Sequence, residues 1–422
     1  MPRTPDDDEL ELIRRSGTVL RVGRLSLSAG TGSYRVKASM ARVARALGID
    51  RHEAHVTLTE ITTTSHRGRS FRTEVTESRT VGVNTDRLAE LELLAQRVEA
   101  QAPVTVEQVG AEIDRIASKP PLYPVVLNGL WAAIACAAFA FLNNGGPIEV
   151  LGAFVGAGLG QALRRTLLHR GLNQFGVTML AATLSATAYL GFVQVLHAVG
   201  ATGGVHETGY VAAALFLVPG FPLVTGALDL ARLDFSAGVA RLTWAVMIFV
   251  SAAFAVWAVS IVVGLRPDPP MPIEIAPGLL LALRLLASFV GVLGFALMFN
   301  SPWRMALVAA GVAAVPNVLR IVAVADLAWP PQASAAVAAF LVGLLAAWIA
   351  PRLNIPRITV YVPAVTIMVP GVPAYRAVYH LSNGDVTQAL EYGVQAALIV
   401  TALSVGLAVA RMVTDREWGF EH

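Results

Sequence analysis

A five-residue phrase constrains this chain more than any other feature. Val218-Pro219-Gly220-Phe221-Pro222 recurs as Val369-Pro370-Gly371-Val372-Pro373, 151 residues later. At the same ungapped offset, Tyr210 and Val211 fall on Tyr361 and Val362, Leu230 falls on Leu381, and Asp234 falls on Asp385. Matches on both sides of a phrase at one fixed spacing mark an internal repeat. Each copy lies midway along an apolar segment long enough to cross a bilayer, Tyr210 to Leu230 and Ile358 to His380. Proline removes a backbone donor and glycine loosens the turn, so both segments are expected to be helices interrupted at the membrane centre.

The composition agrees with a membrane setting. The 422 residues are 55% hydrophobic and 14% charged, with a mean hydropathy of +0.60, which a polytopic membrane protein needs and an ordinary soluble fold does not. Residues 1–121 hold 18 of the 32 Lys and Arg and 17 of the 29 Asp and Glu. A charged soluble domain, 1–121, is therefore expected ahead of the membrane domain. It is nearly balanced in charge and has no basic stripe, so nucleic acid is not expected as a partner. The single cysteine, Cys136, lies in the first apolar segment and leaves no intramolecular disulfide. The acidic start lacks an apolar core and does not read as a cleaved signal, which places the soluble domain in the cytoplasm.

Within 1–121, apolar residues recur at helical spacing from Glu9 to Ser28 and again from Val36 to Leu47, with Ser33 as expected cap and Gly48 as stop. Thr, Val and Ile alternate between Ala54 and Val81 around His66-Arg67-Gly68-Arg69, which predicts two strands and a turn. Helices are expected at 86–100 and 105–117, giving a small α+β layer. His52-Glu53-Ala54-His55 sets its histidines three apart where a zinc helix needs four, so no metal is expected. No phosphate loop or nucleophile elbow is present, and neither an enzyme nor a cofactor is expected.

From Leu122 onward ten spans are predicted: 122–142, 148–163, 175–199, 210–230 and 238–265, then 277–299, 303–324, 332–350, 358–380 and 386–413. The second, at sixteen residues, is shorter than the twenty or so a bilayer asks for. Shifting the first five by 151 lays each over one of the second five. Five is odd, so consecutive copies insert with opposite orientation. The expected fold is a polytopic α-helical membrane protein of ten transmembrane helices in two inverted five-helix repeats, 122–265 and 273–413, with a cytoplasmic tail at 414–422. With both termini inside, the inner loops and tail own Arg164, Arg165, Arg170, Arg232, Arg241, Arg304, Arg352, Arg357, Arg411 and Arg416, and the outer loops own Arg266. That bias follows the positive-inside rule.

Half-helix ends at a break favour the carboxylate and the ammonium of a zwitterion without charged side chains. The expected substrate-binding backbone is Pro219, Gly220, Pro222, Pro370, Gly371 and Pro373; the alternative is that each Pro-Gly pair only kinks its helix for packing. Ionisable residues in spans are the proton-coupling or gating candidates. Asp229 heads them, either as the coupling carboxylate or as an interfacial partner of Arg232. Glu391 is expected to face one of Arg284, Arg320 and Arg376, as an outer gate or as a static ion pair. The matched Asp234 and Asp385 complete the set.

The residues also resemble the bacterial threonine/serine exporter family. The likeness rests on Gly23-Arg24-Leu25-Ser26-Leu27-Ser28-Ala29-Gly30, Tyr34-Arg35-Val36 and Ala46-Leu47-Gly48, then on the first Pro-Gly phrase with Asp229-Leu230, Asp234 and Gly238 to Arg241, and in the second half on Val369 to Pro373 and Gly384-Asp385. The resemblance implies an inner-membrane exporter with a cytoplasmic N-terminal domain and ten helices, moving L-threonine and L-serine outward at the expense of the proton gradient. Some members split the two halves over separate chains, and some move dicarboxylates such as succinate. A proton-coupled dicarboxylate exporter and a channel or sensor gated by the soluble domain are the alternatives. Two inverted halves complete a transport unit in one chain, and an oligomer is left open.

Overall fold

The computed structural model describes residues 5–79, 81–202, 206, 209–264 and 275–419. Arg266, the junction between the expected halves at 265–274, the first four residues and the last three lie outside them. In chain order the elements begin with α1 (Pro5–Ser28), α2 (Ser33–Ala46), β1 (Arg51–Val56), β2 (Glu60–Arg67), β3 (Ser70–Glu77), α3 (Thr85–Ala100) and α4 (Val106–Ser118). Then come α5 (Val125–Leu142), α6 (Pro147–His169), α7 (Gln174–Ala198), α8 (Gly209–Ala213), a 3-10 turn at Leu215–Leu217, α9 (Gly220–Ala231) and α10 (Phe235–Val263). The remainder is α11 (Pro277–Met298), α12 (Trp303–Ala325), α13 (Pro331–Ile349), α14 (Ile358–Thr366), α15 (Gly371–Ser382), α16 (Val386–Thr414) and α17 (Arg416–Gly419).

The chain divides into two compact units, Met1–Pro121 with Phe221–Thr243, and Leu122–Gly220 with Trp244–His422. In the first, β1, β2 and β3 form an antiparallel sheet in sequence order, with Val56 opposite Ile61 and Arg67 opposite Ser70. Three strands stand where the alternation predicted two, because the turn after Val56 closes on Thr57, whose N–H donates to Glu60 O at 2.9 Å, and splits one polar stretch. The Gly68 turn has φ +58°, a backbone that favours glycine. Val19, Val22, Val36, Met40, Val43, Ile61, Leu91, Leu94 and Ile113 form the core from α1 to α4 and β2. Hydrophobic spacing brought these faces together. His52 and His55 lie on β1, where an odd separation sends them to opposite faces. His52 is bound to Ser65 Oγ at 2.9 Å, and burial pulls its imidazole below the usual range.

Ser33 does not cap α2. It is the first helical residue, preceded by Gly32, which has no side chain to bond the first amides, and its hydroxyl donates to Val56 O at 3.3 Å instead. Lys119, just past α4, bridges Asp86 and Glu90 at 2.6 Å each. Burial alone would lower its ammonium, and those two carboxylates outweigh it, holding it above the usual range.

In the second unit α5 packs on α6 and α11, α6 on α7, and α13 on α16. Buried polar groups tie these apolar helices together. Asn128 Nδ2 donates to Met298 O at 2.8 Å and Gln161 Nε2 donates to Asn128 Oδ1 at 2.7 Å. A methyl at Gly152 would meet the Tyr189 ring at 2.6 Å, so α6 approaches α7 more closely than any residue with a Cβ allows.

Seven described helices, α5, α7, α10, α11, α12, α13 and α16, are long and apolar enough to cross a membrane, and the pair α14 and α15, bent by 48°, is an eighth when counted as one span. The chain is a multi-pass helical membrane protein. The expected sixteen-residue second span is part of the 23-residue α6, whose Glu149, Arg164 and Arg165 dilute its hydropathy. The expected fourth span is divided among α8, the 3-10 turn and α9.

The repeat reaches down to individual residues. At the 151-residue offset the bounds of α9 coincide with those of α15, and those of α10 with those of α16. Leu233 (φ +60°) matches Gly384 (φ +82°), so both inter-helix turns carry a left-handed residue at the same place. Asp234 N–H donates to Asp229 O at 3.0 Å, and Asp385 N–H donates to His380 O at 2.9 Å. One local design is built twice.

Candidate functional site

Each helix break is produced by its prolines. Pro219 and Pro222 have no N–H, so Leu215 and Val218 lose the partner that a continuous helix supplies four residues on; Pro370 and Pro373 do the same to Thr366 and Val369. Tight turns repair both places alike. Val218 N–H donates to Leu215 O at 3.0 Å and Gly220 N–H to Val218 O at 2.8 Å; Val369 N–H donates to Thr366 O at 3.2 Å and Gly371 N–H to Val369 O at 2.8 Å. The orphaned carbonyls thus each accept one bond already.

The glycines let the two breaks touch. A methyl on Gly220 would sit 2.9 Å from Thr366 Cγ2, and a methyl on Gly371 would overlap Leu215 Cδ2. Thr366 is the counterpart of Leu215 at the repeat offset, and Gly371 is the counterpart of Gly220. The contact is therefore reciprocal, as across a two-fold axis. Beside it Tyr210 and Tyr375, both buried, share a hydroxyl–hydroxyl bond of 3.0 Å with their rings edge to face.

The second break opens onto a cavity of about 280 Å³. It is lined by Ile367 to Pro373 together with Arg284 of α11, Arg320 of α12 and Gln395 of α16, and by Asn143 and Asn144 after α5 and Ala325 and Pro331 at the facing ends of α12 and α13. Pro370, Gly371 and Pro373 therefore stand with two of the three predicted arginines. Arg320 Nε donates to Asn317 Oδ1 at 3.1 Å, and Asn317 Nδ2 donates to Ser288 Oγ at 2.9 Å. Asn317 and Ser288 are wholly buried. Among the described residues no carboxylate lines the cavity.

Glu391 is exposed in an adjoining groove that shares Gln395. Among the described residues it makes no ion pair with Arg284, Arg320 or Arg376. Arg376 lies instead over the Tyr392 ring, 5.5 Å from its centroid. Asp385 caps α16, accepting from Gln388 N–H at 3.1 Å.

The candidates after the first break are held in the first unit. Asp229 and Arg241 are 0% and 2% exposed and pair at 3.4 Å. Arg241 also donates to Thr31 O at 3.1 Å and to Gly30 O at 3.5 Å. Gly30, at φ +95°, makes the bend that presents those carbonyls. The Asp229 carboxylate lies against Gly32 at the head of α2, within electrostatic reach of the Ser33 and Tyr34 amides. The negative group complements the uncapped positive end of that helix. Asp234 pairs with Lys37 on α2.

Sequence reasoning missed Arg241, Asn317, Ser288 and Gln395 as site residues. Arg241 counted toward loop charge and toward the family likeness, and was given no role of its own. Asn317 had a legible signal, since an amide three residues before Arg320 in an apolar helix shares its face.

Two family models match the chain, "Putative threonine/serine exporter" over residues 17–263 and "Threonine/Serine exporter, ThrE" over residues 284–413. The chain is 24% identical over 415 residues to the "Threonine/serine exporter" of Corynebacterium glutamicum, which covers 94% of this chain and 81% of that relative. It is 26% identical over 426 residues to the "Probable threonine/serine exporter" of Mycobacterium tuberculosis, covering 95% and 76%. The "Probable succinate transporter subunit YjjP" of Klebsiella aerogenes is 27% identical over 237 residues, covering 55% of this chain and 89% of the relative. No solved structure matches.

Proposed function

The chain belongs to the threonine/serine exporter family, and from that premise we propose that it is a secondary active exporter of L-threonine and L-serine across the bacterial inner membrane, driven by protons. The observation that carries the proposal beyond membership is the cavity at the second break. Its volume lies near the lower end of small-molecule sites, as suits an amino acid, and polar groups converge on it from α11, α12 and α16. Of the first four amides of α15, Gly371 and Ala374 are bonded locally and Pro373 has none, which leaves Val372 N–H for a carboxylate at the helix head.

In this proposal ten spans form two inverted five-helix repeats, 122–265 and 273–413, behind a cytoplasmic α+β domain at 1–121, with the tail 414–422 also inside. The reciprocal Gly220–Thr366 and Gly371–Leu215 contacts support a pseudo-two-fold arrangement, and the arginine bias of the loops supports the orientation. The side of the cavity lined by Asn143 and Asn144 then faces outward, and the two repeats rock about the breaks to alternate access. Glu391, exposed beside the cavity, and Asp229, sealed against Arg241, are the carboxylates proposed for proton coupling.

A second substrate class has an observation of its own. Two guanidinium groups in one cavity, with no carboxylate among its described lining residues, suit a small dicarboxylate such as succinate. Counterflow in proteoliposomes separates the two. Vesicles loaded with unlabelled threonine are expected to take up labelled threonine and serine stereospecifically, with net flux increased by a pH gradient. Glu391→Gln or Asp229→Asn should lose the gradient effect and keep exchange at whichever position carries the proton. Uptake of succinate alone would move the substrate to the dicarboxylates, and a conductance without proton dependence would replace the exporter with a channel.

A further inference from the structure

Among the described residues, the lining of the cavity at the second break holds two cations and no anion. Arg320 rises from α12 with its Nε fixed by Asn317 Oδ1, and Asn317 is itself fixed by Ser288 Oγ; both of these residues are wholly buried. Arg284 enters from α11, the helix that also carries Ser288. Neither arginine has an ion-pair partner among the described residues. A guanidinium inside a bilayer-spanning bundle is costly unless an anion or water answers its charge, and such residues concentrate on substrate paths. Two buried polar side chains aim Arg320, and among the described residues no carboxylate joins it in the cavity lining. A fixed donor fork with an open face recognises a planar carboxylate through paired N–H···O bonds.

We propose that Arg320 and Arg284 form the carboxylate clamp of the transported molecule, with Asn317 and Ser288 as positioning residues that hold the Arg320 fork toward the break at Pro370–Gly371. The clamp rests on the exporter proposal for its substrate, and it deepens that proposal by moving recognition from helix-end backbone alone to two side chains. The substrate class it selects is a small molecule with a free carboxylate. Binding is expected to fall when that group is reduced to an alcohol, whatever the rest of the molecule.

The test uses the full chain in proteoliposomes, with labelled threonine counterflow competed by unlabelled threonine or by threoninol, in which the carboxylate is replaced by a hydroxymethyl group. Hydrogen bonds to charged groups carry on the order of 1.5–3 kcal/mol, so the wild type should prefer threonine to threoninol by about tenfold or more. Arg320→Gln should raise the half-saturating threonine concentration by about tenfold or more and leave threoninol nearly unchanged, which collapses the preference. Arg284→Gln, at a half-buried position, should act in the same direction and guards against a folding defect in the first variant. Asn317→Ala should raise the threonine KM several-fold while keeping the maximal rate, a split that a general packing defect would not give. Wild-type preference and KM in both arginine variants would overturn the clamp. If wild-type protein exchanges neither threonine nor serine, the exporter proposal fails by itself. The clamp is then decided by titrating acetate and succinate against the thermal stability of wild type and Arg320→Gln: carboxylate stabilisation confined to the wild type supports it, and equal stabilisation overturns it.

Discussion

The two hairpins that follow the Pro-Gly breaks share a backbone and differ in what they do with it. At matched positions α9–α10 carries Asp229 and Arg241, a buried ion pair, where α15–α16 carries His380 and Tyr392, a ring stack with centroids 5.5 Å apart. Gly226 against Leu242 in the first hairpin becomes Ala377 against Gly393 in the second, so the small residue has changed sides while the helices keep their approach. Asp234 is paired to Lys37 of α2, while Asp385 caps its own helix. The first hairpin has turned its polar groups to the carbonyls at Gly30 and Thr31 and to the head of α2. The second borders a cavity, with Gly371, Val372 and Pro373 of α15 and Gln395 of α16 in its lining. One backbone plan serves twice; side chains at a few matched sites tie the first copy to the N-terminal helices, and the second copy borders the cavity proposed above for the substrate.

The largest expected effect follows from the burial of the ion pair. Asp229→Ala strands Arg241, and breaking a buried pair from one side costs about 3–5 kcal/mol. Thermal unfolding of the detergent-purified chain should register this as a marked loss, with earlier proteolysis in residues 1–121. Asp229→Leu with Arg241→Met, which removes both charges and keeps volume, should recover most of the loss. His380→Ala in the other hairpin should cost only about 0.5–1.5 kcal/mol, the scale of an aromatic pair. Equal losses in the two hairpins would contradict the division of labour.

A middle-sized effect separates the glycines. The methyl of Gly220→Ala meets Thr366, which is β-branched and tied through its hydroxyl to Val362 O at 2.8 Å, so it cannot yield easily. Overpacking there should cost about 1–3 kcal/mol. Gly371→Ala meets only the far end of Leu215, a side chain that can change rotamer, and should cost less. Thr366→Ala should rescue Gly220→Ala and leave Gly371→Ala untouched. The measurement is unfolding temperature together with counterflow rate, and the reverse ranking would show that the reciprocal contact is not what fixes the breaks.

The repeated phrase and the interruption of both helices at it were legible because proline chemistry is local and the offset is written in the sequence. The contents of the cavity were legible in part. Arg284 and Arg320 stand out as charges in apolar runs, but their place in one cavity lining depends on how α11 and α12 cross, which no periodicity encodes. Asn317 and Ser288 look like ordinary small polar residues until their burial is known. Arg241 was hidden for a different reason: a basic residue at a span end reads as loop charge, and its partner Asp229 lies across a helix pair. The segments that carried the family likeness, Gly23 to Gly30 and Asp229 to Arg241, are the ones that meet through Arg241. Ser33 misled because serine is a favoured cap, and here the neighbouring glycine takes that place while a distant carboxylate supplies the charge.

The smallest effects distinguish the two matched aspartates. Asp385→Ala removes the side-chain bond to Gln388 N–H and should cost about 1 kcal/mol, as other N-cap deletions do. Asp234→Ala removes a partly exposed pair with Lys37, which is worth about 0–1 kcal/mol at such a surface. Salt separates them more cleanly than size, because the ion pair is screened and the cap is a short-range bond to a backbone amide. Raising ionic strength should therefore shrink the Asp234→Ala difference toward zero in thermal unfolding and leave most of the Asp385→Ala difference in place. If the Asp385→Ala loss disappears with salt instead, its working partner is the charge of His380, whose Nδ1 lies 4.0 Å away, and the second hairpin has kept an electrostatic role at the position where the first uses Lys37.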